Sequence, residues 1–190
     1  MTGFHIALFI HLLALFAAFG ASTVVHVATV KIRRARTGGE ALEWLGLAHA
    51  LSPVFPAALA VLVGTGAWML HRGGSWSAGF VLAGLAGVVL LFVSGAAFEG
   101  MRAKKLAAAL AARPDDPPID DPLLSLISWA NTGIAVGVTF GMVARPSTGA
   151  AFAALVAGLV AGAAVGLLAA SRRSGETAGR PAPASPPAVR

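Results

Sequence analysis

The sequence predicts an all-α membrane protein: a bundle of five transmembrane helices with the N-terminus outside and the C-terminus cytoplasmic. Three observations lead there. The 190-residue chain is 57% hydrophobic and only 12% charged, with a mean hydropathy of +0.79. A water-soluble domain carries about 25% charged residues, so this chain lacks the polar surface to cover a water-facing globule. Five nearly charge-free segments, at 4–30, 42–70, 78–98, 123–143 and 149–170, each reach the roughly 20 residues that a helix needs to cross a bilayer core. The basic residues fall on one side. Four lie in the first connection (Lys31, Arg33, Arg34, Arg36), four in the third (Arg102, Lys104, Lys105, Arg113) and four in the tail (Arg172, Arg173, Arg180, Arg190). Only Arg72 and Arg145 remain for the second and fourth connections. Cytoplasmic loops favour Lys and Arg, which sets the orientation.

The same distribution accounts for the isoelectric point near 11.4. The charge forms a basic rim along a membrane and not a face for nucleic acid. The expected partner is the lipid bilayer, with another membrane protein or a second copy of the chain as further candidates. The expected location is the plasma (inner) membrane. A single domain over 1–171 holds the spans, and the Pro/Ala/Ser-rich segment 172–190 reads as a disordered cytoplasmic tail.

The first segment has no basic n-region and runs on through Val24, Val25 and Val27, so it reads as a retained span and not a signal peptide. The second contains Pro53 and Pro56. The third continues as "EGMRAKKLAAALAARP", with Leu106 and Leu110 expected along the membrane surface. "PDDPPIDDP" then breaks the helix, because proline removes a donor and clashes with the preceding turn. Glu99 and Arg102, three residues apart, read as an interfacial ion pair. The fourth segment repeats Gly133, Gly137 and Gly141, and the fifth repeats Ala150, Ala154, Gly158, Gly162, Gly166 and Ala170. Small residues at every fourth position let helix backbones approach closely. They predict a tight hairpin of these two spans, or alternatively a homodimer seam. Trp44, Trp68 and Trp76 fall near span boundaries, as belt residues do.

All five histidines lie in or beside the first two spans. At about 100° per residue, His11, Leu15, Ala18, Ser22, His26 and Thr29 share one face of the first helix. His49, Pro53, Pro56, Ala60, Gly64, Ala67 and His71 share one face of the second. The spans are antiparallel, which puts His26 and His49 at a similar depth on the basic side. Neutral imidazole is a common metal ligand whose second nitrogen needs a partner, and Ser22, Thr29 and Ser52 lie close in sequence. His26 and His49, with His11 as a further ligand, are therefore candidates to hold haem b or copper. The structural alternative is hydrogen bonding to a neighbouring helix or to headgroups.

Other chemistry is sparse. The chain has no cysteine, which removes disulfides and thiolate metal sites. It contains no Walker loop, HExxH or serine-nucleophile elbow, so a hydrolytic enzyme is the least expected reading. Asn131 and Thr132, in the middle of the fourth span, either bridge helices or line a path. A transporter or channel would use them with Ser22, Thr23 and Thr29, although no acidic residue lies in the interior of the spans to support it. A structural or assembly partner would act through the glycine faces.

Three stretches carry a resemblance: "FIHLLALFAAFGAST", "LVGTGAWML" and "FGMVARPS". Over residues 5–147 the chain resembles the small predicted integral membrane proteins of bacteria related to the copper-resistance D-like membrane domain. The resemblance implies a plasma-membrane helical bundle and, from the copper branch, a link to copper handling or uptake. His11, in the "HLL" that begins the first helix, is the residue it reaches. The Trp-Gly-Gly stretch usual in that family is replaced here by "FAAFGAS".

Overall fold

A computed structural model of the chain describes residues 3–73, 75–119 and 121–178. Among these the regular structure is entirely helical: α1 (Gly3–Arg34), α2 (Gly38–Ala50), α3 (Val54–His71), α4 (Gly79–Val93), a π-helical turn (Ser94–Glu99), α5 (Gly100–Ala111), α6 (Pro122–Ala144) and α7 (Thr148–Ala178). Four helical stretches are long and apolar enough to cross a membrane: Gly3–Arg34, Gly38–His71, Pro122–Ala144 and Thr148–Ala169. Large apolar side chains such as Phe9, Phe16, Phe92 and Phe140 point away from the protein. The chain is thus an α-helical membrane protein.

The third apolar segment is organised differently. Its α-helix, Gly79–Val93, has 15 residues. At Ser94 the ladder changes register, and the Gly100 amide donates to the Gly95 carbonyl. A π turn of this kind inserts a residue without ending the helix, so the rod continues into α5. The second segment also departs from a single rod. Leu51–Pro53 forms a turn between α2 and α3, in which the amides of Leu51, Ser52 and Val54 donate to carbonyls three residues back. Pro53 has no amide to keep the ladder running. Helix α7 runs to Ala178, so the helix boundary falls inside the segment 172–190 read as tail; residues 179–190 lie outside the described ones.

Packing divides the helices into two groups. Helix α1 lies along α3 and α2, whereas α4, α6 and α7 pack together, with α6 against α7 the most extensive pair. Gly133 faces the backbone of Gly158 and Gly162, Gly137 faces Ala154 and Leu155, and Gly166 faces Leu126. A Cβ on Gly137 would stand 2.6 Å from the Ala154 carbonyl oxygen. Gly141 makes no such approach: a methyl added there would meet no neighbour within 4 Å. Helix α4 uses its own small residues, with Gly84 against Met142 and Gly87 against Val138 of α6. Arg145 ends α6 in the left-handed region, at φ 46° and ψ 50°. The following Pro146 disfavours right-handed helix at this position, and the short turn leads into α7.

The basic end of the bundle is packed by protein. Leu106 and Leu110 are buried with Ile32, Ala35, Ala41 and Leu45, which corrects their expected place on the membrane surface. Helix α5 is amphipathic, and either lipid or protein could have covered its apolar face; α1 and α2 supply the cover. The Gly38 and Gly39 amides donate to the carbonyls of Asp116 and Pro114, each at 2.8 Å. The loop after α5 thereby satisfies donors that every helix N-terminus leaves open. Gly38 is required there because a Cβ would run into the Arg113 carbonyl. Thr37 caps the same helix by accepting from the Glu40 amide, and the Glu40 carboxylate accepts from the Arg36 amide at 2.8 Å.

Candidate functional site

Helix α6 carries polar residues on two faces, one toward α1 and one toward the π turn. Ser128 and Thr132 are four residues apart and share a face, and Asn131 is turned about 100° from Thr132. Thr132 therefore meets α1 while Asn131 meets the π turn.

Thr132 Oγ1 lies 2.8 Å from His26 Nε2, 3.0 Å from Ser22 Oγ and 3.2 Å from the Ser128 carbonyl. A hydroxyl has one hydrogen and two lone pairs. All three contacts are satisfied when Thr132 donates to Ser128 and accepts from Ser22 and from the Nε2–H of His26. The His26 ring is stacked on Trp129, with centroids 4.0 Å apart. Its Nδ1 is buried without a hydrogen-bond partner, which is cheapest for a bare lone pair and agrees with the Nε2–H tautomer.

Asn131 makes the second junction. Its Nδ2–H donates to Glu99 Oε2 at 3.0 Å, and its Oδ1 contacts the Ser94 hydroxyl. Ser128 also reaches the Glu99 carboxyl. This corrects the reading of Glu99 as the ion-pair partner of Arg102. Arg102 instead holds Asp121 through both Nε and Nη2, at 2.9 and 2.8 Å. Asp121 at the same time caps α6 by accepting from the Leu123 and Leu124 amides. Burial alone would raise the Asp121 pKa. The Arg102 guanidinium and the two amides outweigh it and hold the carboxyl below its ordinary range.

A cavity of about 840 Å³ opens between the two helix groups. Its wall is mostly apolar, from residues such as Leu15, Phe55 and Leu91. Polar side chains among its lining residues include Ser22, Thr29, His49, Ser52, Glu99 and Asn131. A second cavity of about 410 Å³ is lined by Phe19, Thr23, His26, Trp129 and Lys31.

The three candidate histidines have separate surroundings. His11 Nδ1 lies 2.9 Å from Thr65 Oγ1, and Thr65 donates to the Val61 carbonyl, so His11 is the donor. His26 serves Thr132 and lines the smaller cavity, while His49 lines the larger one. Among the described residues, no group of three or more His, Cys, Asp or Glu side chains is placed to hold a metal ion. The residue that sequence reasoning missed is Glu99. Its place at the edge of an apolar segment suggested the interface, and only Asn131, from another helix, shows that it turns inward.

The chain matches no family model, no curated protein and no solved structure.

Proposed function

We propose that this is a five-span plasma-membrane protein that binds a small, mostly apolar solute in the cavity between its helix groups and passes it across the bilayer. The observation that carries this reading is the Glu99 carboxyl, bonded to Asn131 and bordering the cavity. Polar and ionisable groups inside a membrane bundle are costly and tend to mark substrate or ion paths. A mostly apolar wall with a few polar groups suits an amphipathic solute. The N-terminus faces outward and the tail lies in the cytoplasm, a reading supported by the one-sided Lys and Arg. Reporter tags on the two termini should therefore respond from opposite compartments. For transport, proteoliposomes should take up the lipophilic cation ethidium faster than protein-free vesicles. Asn131→Leu, checked for helicity and monodispersity, should abolish the difference. Uptake equal to that of empty vesicles rejects the reading.

A second reading, haem or copper bound through membrane histidines, has one observation in its favour: the unpartnered Nδ1 of His26. It requires a Soret band, or copper bound above a His26→Ala/His49→Ala control. Purified protein with neither disposes of it.

A further inference from the structure

We infer that Glu99, Asn131 and Ser94 form a proton-binding relay with two hydrogen-bond registers, and that proton exchange at Glu99 accompanies passage of the solute. The second clause rests on the transport reading above; the first stands on hydrogen-bond accounting.

Ser94 Oγ lies 2.6 Å from the Leu90 carbonyl and is also in contact with Asn131 Oδ1. Both are acceptors, and a hydroxyl has one hydrogen to give. With Glu99 ionised, Asn131 Nδ2–H donates to the carboxylate. The Ser94 hydrogen must then point at Asn131 Oδ1, which leaves the Leu90 carbonyl facing a lone pair. The amide oxygen and nitrogen occupy nearly the same outline, so half a turn of the Asn131 amide exchanges them. In that second register Nδ2–H donates to Ser94 Oγ, and Ser94 donates to the Leu90 carbonyl. Asn131 Oδ1 now faces Glu99, which must carry a proton to complete the bond. Every contact is then satisfied.

The two registers differ by one proton added to the Glu99 carboxylate, with no other reactant. Ser128 can donate to Glu99 in both. The proton's arrival moves the Ser94 hydrogen from Asn131 to the Leu90 carbonyl. Leu90 lies one turn before the π segment, where the backbone ladder changes register, so the proton's arrival changes the hydrogen bonding at the start of the π turn. Stretches of π-helix are frequent at functional sites.

The π turn packs against α4, α5 and α6. Helices α4 and α6 contain no ionisable side chain. Helix α5 contributes Arg102, Lys104 and Lys105, and Arg102 is held by Asp121. Arg33, His49 and Lys104 line the same cavity.

The test is infrared difference spectroscopy on the purified full-length protein during pH steps. Acidification should produce a protonated-carboxyl band together with a change in an asparagine side-chain amide band. Glu99→Gln should lose the carboxyl band while remaining folded, because its amide copies the protonated register. Asn131→Leu should lose the amide change. No Glu99-dependent band, or a titrating band without the amide change, overturns the relay. In proteoliposomes carrying a luminal pH dye, ethidium uptake should move protons in the wild type and none in Glu99→Gln. Proton-independent uptake overturns the coupling. Absence of any uptake removes the transport reading and leaves the infrared result to decide the relay.

Discussion

One helix, α6, makes two seams by opposite means. Toward α7 it presents Gly133 and Gly137, and the backbones meet with almost nothing between them. Toward α1 and the π turn it presents Thr132 and Asn131, and the contact is made by hydrogen bonds beside a cavity of about 840 Å³. In lipid the first kind of seam gains dispersion energy and has no alternative geometry. The second kind keeps polar groups satisfied and can exchange partners. A close seam thus fixes the architecture, whereas a polar seam leaves room for partners to change.

The largest expected effect comes from breaking the close seam. Gly133→Leu places a branched side chain against the Gly158 backbone. Overpacking of this kind costs about 1–3 kcal/mol and sometimes more, so the thermal midpoint in detergent should fall clearly or the monodisperse protein should be lost. An unchanged midpoint would mean that α6 and α7 are not in this contact. Next is Thr132→Val, which removes the hub shared by Ser22 and His26. Hydrogen bonds between membrane helices average about 0.6 kcal/mol, so the loss should be about 1 kcal/mol, smaller than for the glycine. A larger effect would make the polar seam the main fastening.

A third prediction concerns the basic end. The Asp121 carboxyl is held below its ordinary pKa of about 3.9. Its contribution to stability is therefore complete above that value and is lost as pH falls through the lower folded-state value. Asp121→Asn keeps a helix-capping side chain but removes the charge. Its thermal midpoint should be lower than wild type near neutrality, and the gap should close on acidification below about pH 4. A gap that persists in acid would show that the cap geometry, not the ion pair, was lost. The smallest effect belongs to Gly141→Ala. With no neighbour in the way, it should be neutral or stabilising by up to about 1 kcal/mol, the helix-propensity difference. A clear loss would extend the close seam to Gly141.

Much of the fold was legible in the residues. Hydropathy marks the apolar rods because lipid demands them, and four-residue glycine spacing marks a face wherever the helix is regular. The site was less legible. Spacing along one helix reports only neighbours on that helix, so Glu99 was paired with Arg102 when its partner, Asn131, comes from α6. The three histidines share faces by periodicity. Whether facing helices bring them together depends on crossing geometry, and α6 intercepts His26 with Thr132 and Trp129. The four-residue row also said nothing of where it ends, and Gly141 lies past the contact.

By itself the sequence determined the solvent: too few charges for water and enough unbroken apolar length for lipid. It also determined which helix faces can approach closely, since that depends on side-chain size alone. The tertiary structure decided which polar groups meet, which leucines are covered by protein, and where the helical ladder is broken by a turn at Leu51–Pro53 or shifts register at Ser94–Glu99. Those outcomes depend on partners arriving from distant parts of the chain, and no local pattern carries that information.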